Sequence, residues 1–273
     1  MNRYQLYRIY EKMERRTAPT LRYSEYFYED VLQQVLREST SWLDLGCGHH
    51  VLALWRGEEE KKLVQTAGVV VGLDGNEPSL RKHRSITNRV RGQISTLPFK
   101  EDSFDVVTAN MVVEHLERPK EEFCEIRRVL KPRGLFLFHT PNLYAYSTMC
   151  ARMVPKRLKV ALTEVLEGRP QEDVFETHYH ANTESQIRQV SQEAGLEVVD
   201  VLYIASCAKL AVILPLAFLE LLWIRLLLTR PLRSLRPILL VTLRKPSTLD
   251  PRSAVFSDKR SSQTKYCGAS CSL

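Results

Sequence analysis

The chain has 273 residues, 44% of them hydrophobic, with 39 basic and 32 acidic side chains that leave a formal net charge of +7. A chain of this length buries one α/β core with residues to spare for a cap, which points to one domain with insertions rather than two equal domains. Six cysteines (Cys47, Cys124, Cys150, Cys207, Cys267 and Cys271) lack metal-ligand spacing in a chain too large to need disulfide staples, so a reducing cytoplasm is the expected setting. Ser270 stands where a prenylation box would need cysteine.

In chain order, residues 1–40 read as amphipathic helices forming an N-terminal lid, and their opening lacks the pattern of a secretory leader. An apolar strand over 42–45 runs into Gly46-Cys47-Gly48, where missing side chains let a ligand lie against the backbone. His49 and His50 follow instead of the further glycine of a dinucleotide fingerprint, which disfavours an NAD enzyme. A helix over 58–67 leads to a buried-strand pattern over 69–74 that ends in Asp74. A carboxylate there can accept hydrogen bonds from both ribose hydroxyls of an adenosine, or it can cap the helix expected over 78–87. A weaker strand over 89–93, strands over 104–110 and 135–140, and a helix over 119–130 complete the core through residue 141.

Residues 142–182 carry no strand pattern and, with the helix that follows, form a cap for the substrate. That helix, over 183–194, opens with a Thr183/Gln186 capping box and stops at Gly195. Strands over 196–205 and 237–244 flank an apolar insertion over 206–230, and 247–273 reads as a disordered tail rich in Ser, Lys and Arg. Apolar runs alternating with charged helices describe a largely parallel sheet covered on both faces.

Within the insertion, 210–228 approaches the length of a bilayer span. A single crossing would place the two flanking strands on opposite sides of the membrane, where they could not pair. Pro215 is expected to break or kink the helix, and Glu220 and Arg225 are too far apart for an ion pair on one face. Two readings remain: packing on the protein's own core or a second copy, or shallow insertion while Arg225, Arg230, Arg233, Arg236, Arg244 and Lys245 meet anionic headgroups. Nothing interleaves aromatic and base-reading side chains, so a membrane surface is a better partner than nucleic acid.

Added in order, Asp44-Leu45-Gly46-Cys47-Gly48, Asp74, Leu97-Pro98-Phe99, Ser103-Phe104-Asp105-Val106-Val107, Glu114-His115-Leu116, Leu130-Lys131-Pro132-Arg133-Gly134 and Thr140-Pro141-Asn142 resemble the series of class I methyltransferases. The resemblance spans residues 40–245 and leans toward the ubiquinone-biosynthesis O-methyltransferases. It implies a Rossmann-like seven-stranded sheet, mostly parallel with the last strand antiparallel, and S-adenosylmethionine as cofactor. It also implies a small-molecule or lipid-linked acceptor. The cysteine usage and the apolar insertion set the expected location, in the cytoplasm or peripheral on the inner membrane face. By position, Asp44, Gly46 and Gly48 would hold the methionine part of the cofactor, Asp74 the ribose and Asn110 the methionyl chain. Gln93 stands where an acid usually meets the adenine amino group, and Ile94 would touch the base.

If the acceptor is a hydroxyl, a base helps to remove its proton, and His115, then His178, are the candidates. His139 and His180 also fall near strand ends or the cap. His83 reads as a solvated helix residue, and His49 and His50 shape the glycine loop. The enzymes resembled bind a divalent ion beside their Glu-His pair, but here Met111 replaces the first carboxylate, and a thioether is a poor ligand for a hard cation. No metal is therefore expected. The rival from another class is a protein that binds the cofactor without turning it over and serves as a membrane or partner contact. A nucleic-acid methyltransferase is disfavoured, because Asn110-Met111-Val112-Val113 does not match the Asn/Asp-Pro-Pro-Tyr type of motif.

Overall fold

The computed structural model describes residues 3–153, 176–208 and 213–247. Seven strands form one sheet: β1 (Ser41–Leu45), β2 (Val69–Asp74), β3 (Asn88–Arg91), β4 (Phe104–Asn110), β5 (Leu130–Pro141), β6 (Glu197–Ile204) and β7 (Ile238–Arg244). Their order is β3-β2-β1-β4-β5-β7-β6. The five strands β1 to β5 pair in parallel, and β7 runs antiparallel to both β5 and β6. The order reverses between β1 and β4, which opens a crevice beyond the carboxyl ends of those strands.

Side chains alternate across each strand, so successive residues of β1 enter different layers. Leu43 and Leu45 join the cluster covered by α5 (Pro119–Val129) and α7 (Glu184–Glu193) through Phe123, Ile126 and Ile187. Trp42 faces the opposite layer, where Tyr28 and Leu32 of α2 (Ser24–Val35), Leu63 of α3 (Gly57–Thr66) and Leu80 of α4 (Glu77–Lys82) pack. The second half of the expected N-terminal lid is thus core. A third cluster joins α1 (Arg3–Thr17) to α8 (Leu214–Leu227) through Tyr10, Ala217, Leu221 and Ile224.

Several local expectations shift. The weak seventh strand is present over Asn88–Arg91. The helix expected over 78–87 stops at Lys82, because His83 turns inward. Its Nδ1 accepts from Ser85 N (3.4 Å) and Ile86 N (3.1 Å), and burial lowers its pKa. His83 is therefore a buried turn former rather than a solvated residue. Pro215 opens α8 instead of kinking it, since the first helical turn needs no donor from proline. Thr183 caps α7 through Gln186 N (3.2 Å), but the Gln186 side chain accepts from Asn182 N, one residue earlier than a capping box requires. Gly195 closes the helix at φ +70°.

Two of the basic residues offered to headgroups are engaged internally. Arg236 donates to the carbonyls of Tyr203, Leu227 and Leu228, tying the end of α8 to β6, and Lys245 donates to Asp102 and the Leu130 carbonyl. A short helix α6 (Tyr146–Met153) begins the cap. Most of the rest of the cap, most of the expected tail with Cys267 and Cys271, and the start of the apolar stretch lie outside the described residues. Among the described residues no helix is long and apolar enough to cross a membrane.

Candidate functional site at the carboxyl edge of the sheet

Parallel pairing sets Leu45 opposite Leu73 and Ala109, so the ends of β1, β2 and β4 share one edge. Gly46 and Gly48 both have positive φ, +60° and +52°. They need glycine for different reasons. A Cβ on Gly46 would sit 2.5 Å from the Val112 side chain, whereas one on Gly48 would meet nothing within 4 Å. Gly46 therefore packs against the loop after β4, while the bare backbone of Gly48 faces open space.

Asp74 holds this loop. Its Oδ2 accepts from Gly48 N (2.8 Å) and its Oδ1 from Asn76 N (2.7 Å), which leaves a second lone pair on each oxygen. The cap of α4 is Asn76, whose side chain accepts from Ser79 N, so Asp74 is not the N-cap. Gly92 N donates to the Asp74 carbonyl (3.1 Å), which brings the turn carrying Gln93 and Ile94 alongside. Gln93 is exposed there, and Ile94 is half-buried against the core.

Asp44 lies beneath the loop, only 2% exposed. Trp42 Nε1 donates to Thr108 Oγ1 (2.7 Å), which directs the threonine proton onto Asp44 Oδ1 (2.5 Å). Burial pushes the Asp44 carboxyl up to about 7; the Thr108 bond opposes this, and repulsion from Glu60 and Asp74 adds to it. Asn110 donates through Nδ2 to the Val51 carbonyl (3.1 Å), so its Oδ1 faces His139 Nδ1 (2.9 Å). The proton of His139 is thereby fixed on Nδ1, and its buried Nε2 is a lone pair with no hydrogen-bond partner among the described residues. Burial lowers His139 to about 4, and its ring stacks on that of Tyr28 at 5.7 Å. His139 is a neutral structural residue.

Three other histidines, His115, His178 and His180, lie on a neighbouring wall, while the His49 and His50 rings meet edge to face in the loop after Gly48. His115 ends a 3-10 turn, Val113–His115, and its Nδ1 lies 2.6 Å from the Glu176 carbonyl. A carbonyl only accepts, so Nδ1 carries a proton, and Nε2 lies 3.9 Å from Glu114 Oε1. Glu114 is buried and joins core to cap. Its Oε2 accepts from Thr140 Oγ1 (2.9 Å), which itself accepts from Asn182 Nδ2 (2.8 Å), and its carbonyl accepts from His178 N and Tyr179 N. His178 Nε2 is 3.8 Å from Glu117 Oε1, and the His178 and His180 rings are 5.7 Å apart. His115 and His178 are thus brought together. Among the described residues no group of three His, Cys, Asp or Glu side chains could hold a metal ion.

Other motif segments are scaffold at the opposite edge or flank. Asp105 accepts from Ser41 N and Lys131 Nζ, both at 2.8 Å, and a Cβ on Gly134 would sit 2.8 Å from the Lys131 carbonyl. Arg128 grips the carbonyls of Leu97 and Phe99. Residues not singled out from sequence include Glu60, which is buried and accepts from Val51 N (2.9 Å) and Leu52 N (2.8 Å) to shape the loop after Gly48. An acid three positions before Leu63, on the inward stripe of a helix, was the signal available for it. Thr108 and Asn182 gave no such signal.

A sequence family described as a methyltransferase domain matches residues 20–201. A Mycolicibacterium smegmatis protein named "Probable S-adenosylmethionine-dependent methyltransferase" is 32% identical over 165 residues, covering 56% of this chain and 62% of that protein. A fatty-acid O-methyltransferase of the same organism is 32% identical over 119 residues, 43% of each chain. The crystal structure of an S-adenosylmethionine dependent methyltransferase from Mesorhizobium loti shares the fold. It has a TM-score of 0.51 at 20% identity, covering 79% of this chain and 96% of that one. The chain thus spans less than two thirds of the curated relatives it matches here.

Proposed function

The chain belongs to the methyltransferase domain family, and from that premise we propose that it transfers a methyl group from S-adenosylmethionine to a small-molecule or lipid-linked acceptor. The observation that carries this reading is the meeting, at one sheet edge, of the open Gly48 backbone with the Asp74 carboxylate, which keeps a lone pair on each oxygen. Such an edge fits an adenosine-bearing group: Asp74 accepts from the ribose hydroxyls, and Gln93 and Ile94 border the adenine. Asp44, Gly46 and Gly48 hold the methionine end, and Asn110 fixes the Val51 loop beside it. When bound, the cofactor supplies a methyl already activated on a sulfonium, so the protein's part is alignment, exclusion of water and handling of a proton.

His115 handles that proton. With Nδ1–H held by the Glu176 carbonyl, Nε2 takes the proton of an acceptor hydroxyl as the new bond to carbon forms, and the buried Glu114 carboxylate facing it stabilises the imidazolium. His178 lies on the same wall as the second candidate. The similarity to a fatty-acid O-methyltransferase supports a lipid-linked acceptor without identifying it.

Calorimetry with S-adenosylmethionine and its demethylated product tests the cofactor site. Asp74→Ala removes two hydrogen bonds to a charged group, each worth about 1.5–3 kcal/mol, and should weaken both ligands at least tenfold. Unchanged affinity removes Asp74 from the site. Incubation with radiolabelled cofactor and fractionated lipids and metabolites tests the reaction. His115→Gln should abolish transfer and leave cofactor binding intact; binding without transfer to any fraction would favour a silent cofactor-binding protein.

A further inference from the structure

Helix α8 is apolar on both its inner and its outer face. Its one carboxylate, Glu220, points inward and accepts from the Tyr146 hydroxyl of α6, while Leu216, Phe218, Leu219, Leu222 and Leu226 face solvent. Leu219 is 61% exposed and Leu226 51%. A solvent-facing helix stripe is ordinarily polar, and a contiguous apolar one marks a surface that something covers. The inner face is already occupied, since Ala217, Leu221 and Ile224 pack with Tyr10 of α1.

The charges around this stripe identify the occupant. Residues 213–236 contain no acid besides buried Glu220, and Arg225, Arg230 and Arg233 are exposed on or just beyond the helix. The neighbouring α1 adds exposed Arg8, Lys12 and Arg16, with exposed Tyr7 and Ile9 on either side of Arg8, and its Glu11 is paired with Arg15. A second copy would set the same cationic stripe against itself across a twofold axis, leaving Arg225 without a counter-charge in an apolar interface. An anionic bilayer surface supplies both what the leucines and what the arginines require.

We infer that the outer face of α8, flanked by α1, docks on anionic membrane surfaces with the helix lying in the interfacial plane. Its fourteen residues could not span a bilayer, and both flanking strands belong to one sheet, so contact is shallow and from one side. The reading is independent of the methyl-transfer chemistry. It places an amphiphilic acceptor within reach if that chemistry holds.

The experiment is co-sedimentation of the full chain with vesicles of phosphatidylcholine alone or mixed equally with phosphatidylglycerol, at low and high salt. Binding is expected to the mixed vesicles only and to weaken as salt rises. Leu219→Ser with Leu222→Ser and Leu226→Ser should weaken it at least about tenfold with the thermal melt unchanged, since exposed side chains leave no cavity. Arg225→Gln and Arg230→Gln should each cost roughly fivefold at low salt. Parent protein left in the supernatant with mixed vesicles overturns the inference. So does unfolding of the triple variant, which would show the face to be core, or a parent dimer that the triple variant converts to monomer, which would show an interface between copies. Calorimetry with S-adenosylmethionine, run in parallel, separates failure here from failure of the proposed activity.

Discussion

Asp44→Asn should stabilise the cofactor-free protein above neutral pH. The native carboxyl is pushed from 3.8 to about 7 chiefly by burial, a rise of roughly three units, worth up to about 4 kcal/mol at 1.36 per unit. The sign follows from proton counting: between those values the native state holds a proton that the unfolded chain has released. The protonated carboxyl therefore contributes stability that is fully present below about pH 4 and lost as pH rises through about 7. Asparagine keeps an oxygen for Thr108 and carries no charge, so it escapes that loss. Urea unfolding of both proteins from pH 4 to pH 8 measures the difference. It should grow with pH by up to about 4 kcal/mol and level off above 7, whatever its baseline from the new amide donor. A difference that stays constant over the range would refute the reasoning, because Asp44 would then ionise in the native state as it does in water.

His139, lowered by burial to about 4, contributes stability that is present above about pH 6.5 and lost as pH falls through 4. In an NMR titration one imidazole should stay neutral to about pH 5, and His139→Gln should erase its signal and up to about 3 kcal/mol of acid sensitivity; titration of every histidine near 6.5 would contradict this. Once an acceptor is found, transfer should survive chelation, because Met111 replaces a carboxylate ligand. Loss in EDTA restored by magnesium would show that Glu114 and His115 hold an ion despite that substitution.

What the sequence determined by itself is the framework of the site. Apolar runs bounded by glycine mark β1 and β2, and parallel pairing then places Gly48, Asp74 and Asn110 at one edge, so their grouping follows from local patterns and strand direction. The pairing of Thr183 with Gln186 and the stop at Gly195 are equally local, because cap and capped groups lie within one helical turn. Tertiary structure alone decided what the buried polar groups meet. Asn110 fixes the His139 proton only because Val51, 59 residues earlier, returns to the same edge, and Asp44 is perturbed because the assembled sheet buries it, with the bond from Thr108, 64 residues later, opposing the rise. His83 turns inward to serve nearby amides, and Arg236 is withdrawn from the basic surface to cap the end of α8. Periodicity reports which way a side chain points relative to its near neighbours. The dielectric around a carboxyl and the partner of a ring nitrogen are set by residues far along the chain, and those are chosen only when the sheet assembles.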